Sequence, residues 1–139
     1  RLGETAGIVE VTASFAAAVD IVIRSGGWGS GNMAQFYLNG ELIPFTAGRG
    51  MNIVVLKTDG NVHSSQVFDT HAMTSESEKL AGFIASLSKG TPVLIAVKDE
   101  ATGSLTTSAR TAIKTLGATD IDNLAYQNSY ALIGIKGGE

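Results

Sequence analysis

MNIVVLKTDGNVHSSQVF, residues 51–68, is the stretch whose reading decides the fold. The apolar run 51–58 is closed by Asp59-Gly60, a pair that tolerates positive φ, and residues 62–68 alternate enough to return beside it as the partner strand of a hairpin. Working toward the N-terminus, residues 33–38 end at Asn39-Gly40, the strongest short hairpin signal, and 41–45 form a short returning strand. Residues 7–13 and 19–24 are rich in Val, Ile and Thr, are bounded by small or turn-forming residues, and read as two earlier strands. Two hairpins in succession predict an antiparallel sheet.

Toward the C-terminus the period changes. Leu80, Phe83, Ile84 and Leu87 fall at i, i+3, i+4 and i+7, one face of a helix, and Ser75 and Glu78 have the spacing of a capping box. Residues 92–98 are a continuous apolar strand. A second helical stripe follows in Leu105, Ala109, Ala112, Ile113 and Leu116, with Ser104 or Thr106 as cap and Gly117 as stop. The chain then returns to a strand, 129–135, and a strand, helix, strand crossover is implied around 92–98. The expected class is α+β: a sandwich of two mostly antiparallel β-sheets flanked by two or three short helices.

At 139 residues the chain has room for one domain, 1–139. It begins at Arg1 with no secretory signal ahead of it, so residues 1–15 read as a linker or leading strand of a longer parent protein. A net charge of −3, with Lys and Arg scattered singly, argues against nucleic acid as a partner. The apolar stretch 13–23 is short and broken by Asp20, which argues against membrane insertion. With no cysteine there is no disulfide framework, thiolate nucleophile or zinc–thiolate site.

Several residues could carry chemistry. Residues 26–31, GGWGSG, open a string that loosely fits the dinucleotide fingerprint, but a strand and a hairpin turn follow where a helix N-terminus would have to hold a pyrophosphate; the glycines read as a turn. Trp28 within that turn is either a stacking platform for a sugar or a lid on the core. His63, Asp69 and His71 match no metal spacing and read as solvated or hydrogen-bonded surface groups, so neither metal nor cofactor is expected. Asp69, Asp99 and Glu100 each follow an apolar strand, where acids and bases often assemble. A hydrolase using Asp69 or Asp99 with a histidine has no nucleophile elbow, zinc-protease or phosphate-loop motif beside it.

Read in order, several strings resemble one family. They are residues 25–31 followed by Leu38-Asn39-Gly40, GRGMNIVVL at 48–56, VFDT at 67–70, AVKDE at 96–100, Leu116-Gly117, and YALIGIKGG at 130–138. Together, over residues 19–138, they resemble the interleukin-like EMT inducer domain, also called the GG domain. That resemblance implies two packed sheets flanked by short helices. It also implies a non-catalytic module, since such domains occur in secreted cytokine-like proteins, hyaluronan-related cell-surface proteins, the stem of protein O-mannose N-acetylglucosaminyltransferase, and some bacterial and phage proteins. In that stem the domain holds a terminal sugar with acidic and basic side chains around the strand ends, which by resemblance makes Asp99 the leading ligand-binding residue. Where the stem has Trp-Arg before its last strand, this chain has Tyr126-Gln127, so a stacking ring and an amide remain but the charged contact is lost.

The expectation is therefore a non-enzymatic recognition module for a glycan or cell-surface receptor. Its ligand-binding candidates are Trp28, Arg49, Asp99, Glu100, Tyr126 and Gln127. The alternative is a structural or protein-interaction domain of an oligomeric, multisubunit assembly. The cytokine-like relatives carry disulfides and this chain has none, so the expected source is bacterial or phage, with the domain on an extracellular or virion surface such as a tail tip or host-specificity protein.

Overall fold

The computed structural model describes residues 4–5, 7–15 and 19–138. Its strands are β1 (Glu4–Thr5), β2 (Val9–Phe15), β3 (Val19–Gly27), β4 (Met33–Leu38), β5 (Glu41–Leu42), β6 (Gly50–Leu56), β7 (Val62–Phe68), β8 (Pro92–Asp99) and β9 (Ser129–Ile135). Helix α1 (Thr74–Ala85) lies between β7 and β8; α2 (Thr107–Lys114) and a 3-10 turn (Ile121–Asn123) lie between β8 and β9. Of the segment 1–15 expected as linker or leading strand, residues 1–3 and 6 lie outside the described residues, and the remainder supplies β1 and β2. Among the described residues no helix is long and apolar enough to cross a membrane.

The strands are hydrogen-bonded into one curled, mixed sheet rather than the two separate sheets expected. One arm is antiparallel, with β3 between β2 and β4 and β5 beyond β4. The other arm runs β7-β6-β8-β9-β1, also antiparallel between neighbours. The arms join where β3 outruns its partner β2, and Gly26 and Gly27 lie parallel to Lys98 and Asp99 of β8. The sequence-based strand stopped at residue 24 because glycines lower strand propensity. Here the missing side chains let the backbone come alongside β8, and Ser25 Oγ secures the join by donating to Val97 O (2.6 Å) and accepting from Tyr130 N (2.9 Å).

Residues in β6 and β8 are buried on both faces, which is why their sequences read as unbroken apolar runs rather than alternating ones. Met51, Ile53, Val55, Val93, Ile95 and Val97 pack under Leu80 and Ile84 of α1 and Ala109 and Ile113 of α2. Val54, Leu56, Leu94 and Ala96 pack against Ile21, Ile23 and Phe36 of the other arm. Each fully buried aliphatic side chain contributes about 1.5–3 kcal/mol, so these two cores hold the arms and helices against β6 and β8.

The turns follow the sequence reading. Asn39 (φ 50°) and Gly40 (φ 80°) are both left-handed, as a two-residue hairpin turn with the twist of its strands requires. The β6–β7 hairpin departs from simple pairing: Val55 pairs with Ser64 but Leu56 with Val62, so His63 is an inserted residue. The returning strand expected at 41–45 is a strand only over Glu41–Leu42, with one further backbone bond from Ile43 N to Phe36 O (2.8 Å). The expected capping box does not form, because α1 begins after Met73 with no side-chain cap and the Glu78 carboxylate accepts instead from Thr106 Oγ1 (2.8 Å). Thr106 does cap α2, accepting from Ala109 N at 3.3 Å.

The candidate site at one end of the sheet

Strands β3, β7 and β8 finish, and β6 and β9 begin, at one end of the sheet, so five loops meet there. Those loops carry every ligand-binding candidate named from the sequence: Trp28 after β3, Arg49 before β6, Asp99 and Glu100 at the end of β8, Tyr126 and Gln127 before β9. They also bring Asp69 and His71, just beyond β7, whereas His63 starts β7 at the opposite end, about 20 Å away along a seven-residue strand. Among the described residues no group of three His, Asp or Glu side chains is placed to hold a metal ion.

The glycine-rich segment is the turn that its sequence suggests. Ser30 N and Asn32 N both donate to Gly27 O, and Trp28 N donates to Asp99 O at 2.7 Å. Gly27 is a requirement of space: a Cβ there would stand 2.0 Å from Gln127 O, while its own N–H donates to Ser129 Oγ (2.9 Å). This contact seats residues 126–127 directly beside Trp28. Trp28 is 57 % exposed and Tyr126 64 %, so Trp28 is no lid on the core and both rings face solvent.

Between them, Asp99 (φ 65°) and Gln127 (φ 60°) hold left-handed backbone angles that non-glycine residues rarely adopt, a local strain the surrounding contacts must sustain. The neighbouring residue does so. Glu100 is 1 % exposed, and its carboxylate gathers three loops: Thr102 N (2.7 Å) and Gln127 N (3.3 Å) donate to Oε1, Gly103 N (2.8 Å) donates to Oε2, and His71 Nδ1 lies 2.6 Å from Oε2. Burial pushes the carboxyl up, but the Thr102 hydroxyl, His71 and the two backbone N–H groups of residues 102 and 103 outweigh it and bring it down to about 2. Glu100 was a ligand candidate in the sequence; its oxygens are instead engaged inside the protein, where they fix the shape of the site.

Arg49 forms a fork on Asp69, with Nε 3.1 Å from each carboxylate oxygen and Nη2 2.9 Å from Oδ2. Burial pushes the Asp69 carboxyl up, and the hydrogen bonds from Arg49 and Ala72 N–H override it to hold it below its ordinary value. The fields of Asp99 and Glu100 also reach Arg49 and favour its charge. Asp99 itself makes no side-chain hydrogen bond among the described residues, so its oxygens are free to accept from a ligand. Upstream, the loop before Arg49 is held by buried Asn52, whose Nδ2 donates to Gly48 O and Ala96 O while Oδ1 accepts from Gly48 N.

The roles of Asp69, His71 and Thr102 were not legible as a site, since no spacing links a histidine at 71 to a carboxylate at 100. The arrangement offers stacking faces, hydroxyl-accepting oxygens and an amide, on a frame fixed by buried hydrogen bonds.

Residues 49–138 match the family model of the interleukin-like EMT inducer, a span that starts at Arg49 and includes Asp99 and Tyr126 but not Trp28. The chain is 34 % identical over 110 residues to human cell surface hyaluronidase CEMIP2, covering 73 % of this chain and 8 % of that protein. It is 31 % identical over 90 residues to the cell migration-inducing and hyaluronan-binding protein of Mus musculus, covering 64 % of this chain and 7 % of that protein. It is 31 % identical over 91 residues to Protein FAM3C of Rattus norvegicus, covering 65 % of this chain and 39 % of that protein. The matched region is thus a small part of the hyaluronan-related relatives and well under half of FAM3C. With its matched region running through β6 to β9 and both helices, this chain belongs to the interleukin-like EMT inducer family.

Proposed function

We propose that this chain is a non-catalytic recognition module that binds a neutral, hydroxyl-rich sugar residue of a glycan, as part of a larger extracellular or cell-surface protein. One observation carries the reading: two exposed aromatic residues, Trp28 and Tyr126, stand on loops beside Asp99, whose carboxylate makes no hydrogen bond among the described residues, at a place where Glu100 fixes the backbone. Ring faces stack on the C–H face of a pyranose, and Asp99 and the Gln127 amide engage its hydroxyls. Arg49 holds Asp69 and keeps part of its guanidinium fork for the ligand. Three carboxylates gather at this end, Asp69, Asp99 and Glu100, so an uncharged sugar suits it better than an anionic one.

The relatives named for hyaluronan and the cell surface support a saccharide ligand and an extracellular setting, although their full activities extend far beyond the matched segment. The non-catalytic part of the proposal is supported by the acids themselves. Glu100 is buried and held ionised, and Asp69 is engaged by Arg49, so neither is poised to give and take a proton near neutral pH. The human, mouse and rat relatives lend the phage or virion placement no weight. A protein-binding reading draws on the same exposed apolar side chains, with Met73 (53 % exposed) in addition.

The test is a glycan array probed with the wild-type domain and with Asp99→Ala and Tyr126→Ala, both of which leave the two cores untouched. Selective binding of a neutral glycan, lost in both variants, is expected. An array with no binding would discard the proposal and favour a protein partner.

A further inference from the structure

The opposite end of the same strands carries a cleft of different character. It has a volume of about 470 Å³ and lies between the end of β6, the start of β7 and the connection from α1 to β8, with Lys57, His63 and Lys89 in its wall. Neither lysine ammonium makes an ion pair or side-chain hydrogen bond among the described residues. Asp59, on the same loop, feels the charge of Lys57 but engages its oxygens within the loop, accepting from Asn61 N (2.9 Å) and Asn61 Nδ2 (3.2 Å).

Three features build this cleft. Unbroken pairing would put His63 opposite Leu56, on the face turned to the other arm; the bulge gives that place to Val62 and leaves His63 lining the cleft beside the α1–β8 connection. The stem of Lys89 lies across Gly137, where a Cβ would stand 2.9 Å from Lys89 Cγ, so a glycine leaves room for the lysine. Lys136 Nζ donates to Ile84 O (2.8 Å) and Leu87 O (3.2 Å). It thereby neutralises the carbonyl-rich end of α1, which would otherwise repel an anion.

We infer that this cleft binds the anionic group, a carboxylate or sulfate, of an acidic saccharide. The two lysines supply the charge, and the His63 ring and the hydroxyls of Thr58 and Ser88 lie in the same wall as hydrogen-bonding groups for the sugar. An acidic peptide would be expected to add as a strand to β7, which pairs only with β6, but the bulge at His63 interrupts that edge at the cleft. The site is independent of the one proposed for a neutral sugar: the two ends are separated by the length of β6 and differ in charge.

The nitrogen-15-labelled chain is titrated with a hyaluronan hexasaccharide, a chondroitin sulfate hexasaccharide, neutral chitohexaose and a polyglutamate peptide, at low and high salt. Expected are amide shifts confined to residues 57–63 and 86–91 with one or both acidic saccharides, weakened by salt, and none there with chitohexaose. Response to both identifies the carboxylate that the two share, and response to the chondroitin sulfate alone identifies the sulfate. The double variant Lys57→Ala, Lys89→Ala loses about tenfold in affinity or more, and Lys114→Ala, which removes a lysine of α2 outside the cleft, loses nothing. Absent shifts, shifts that survive the double variant, or polyglutamate binding as tightly as either saccharide would overturn the inference. A blank glycan array for neutral sugars leaves this titration unaffected, so the two proposals fail separately.

Discussion

A carboxyl taken out of water ordinarily resists ionisation, and Glu100 ionises because burial is outweighed by the Thr102 hydroxyl, His71 and the N–H groups of Thr102 and Gly103. Its folded value, about 2, lies below the ordinary 4.5, so its contribution to stability is complete above pH 4.5 and is lost as pH falls through about 2. That gap corresponds to a contribution on the order of 3 kcal/mol. Glu100→Gln is expected to destabilise the protein by roughly that amount at neutral pH, because an amide offers one acceptor where the site needs two. Its deficit against wild type should shrink as the solution is taken to pH about 3 and below, where the wild-type carboxylate loses its advantage. Urea unfolding of both proteins across that range checks this, and a deficit independent of pH would mean that ionised Glu100 is not the source. At this scale the sequence reading named positions, and the fold shows which of them, Glu100 foremost, are engaged inside the chain itself. Asp99, Tyr126 and Gln127 were legible because strand ends and an interrupted family motif mark them. Glu100 was read as a ligand contact because its partners, His71 and Gln127, lie 29 and 27 residues away and only the folded chain brings them together.

Among the elements, local signals that need only neighbouring residues were legible, and those that depend on another element were not. The hairpins at Asn39-Gly40 and Asp59-Gly60 formed as read because positive φ is a property of the turn itself. The stripe of Leu80, Phe83, Ile84 and Leu87 did mark a helix facing the core. The capping box failed because Glu78 found a hydroxyl on α2, and the bulge at His63 was invisible because a single extra residue leaves no mark in an alternating pattern. This contrast can be measured. Thr106→Ala removes the acceptor for Ala109 N and the donor to Glu78, and should cost about 1 kcal/mol or slightly more. Ser75→Ala, at the position that sequence spacing nominates as a cap, should change stability by less than about 0.5 kcal/mol, since its hydroxyl only approaches Met73 Sδ. Thermal unfolding of the two variants side by side decides it, and equal losses would mean that the α1 start is capped after all.

For the whole molecule, the question is whether two arms of one sheet behave as one folding unit. Among the described residues the hydrogen bonds between them are few: Gly26 and Gly27 of β3 against Lys98 and Asp99 of β8, Trp28 N to Asp99 O, Gly27 N to Ser129 Oγ, and Ser25 Oγ bridging Val97 O and Tyr130 N. The core between them is continuous, however, with Ile21, Ile23 and Phe36 of one arm packed on Val54, Leu94 and Ala131 of the other. Because β6 and β8 bury one face under α1 and α2 and the other under the first arm, opening the first arm would expose a whole face of these strands. Unfolding of one arm alone should therefore be unfavourable, and the chain should unfold in a single transition. Ser25→Ala tests the join: it removes the buried hydroxyl that donates to Val97 O and accepts from Tyr130 N, a loss of about 1–2 kcal/mol. If the arms are one unit, the slowest-exchanging amides of β3 and of β8 should lose protection by the same amount in this variant, because both exchange only through global unfolding. Loss confined to β2, β3 and β4 would instead mean that the first arm opens by itself, and Trp28, which that arm delivers to the candidate site, would then be held by a part of the molecule that comes and goes independently of Asp99 and Tyr126.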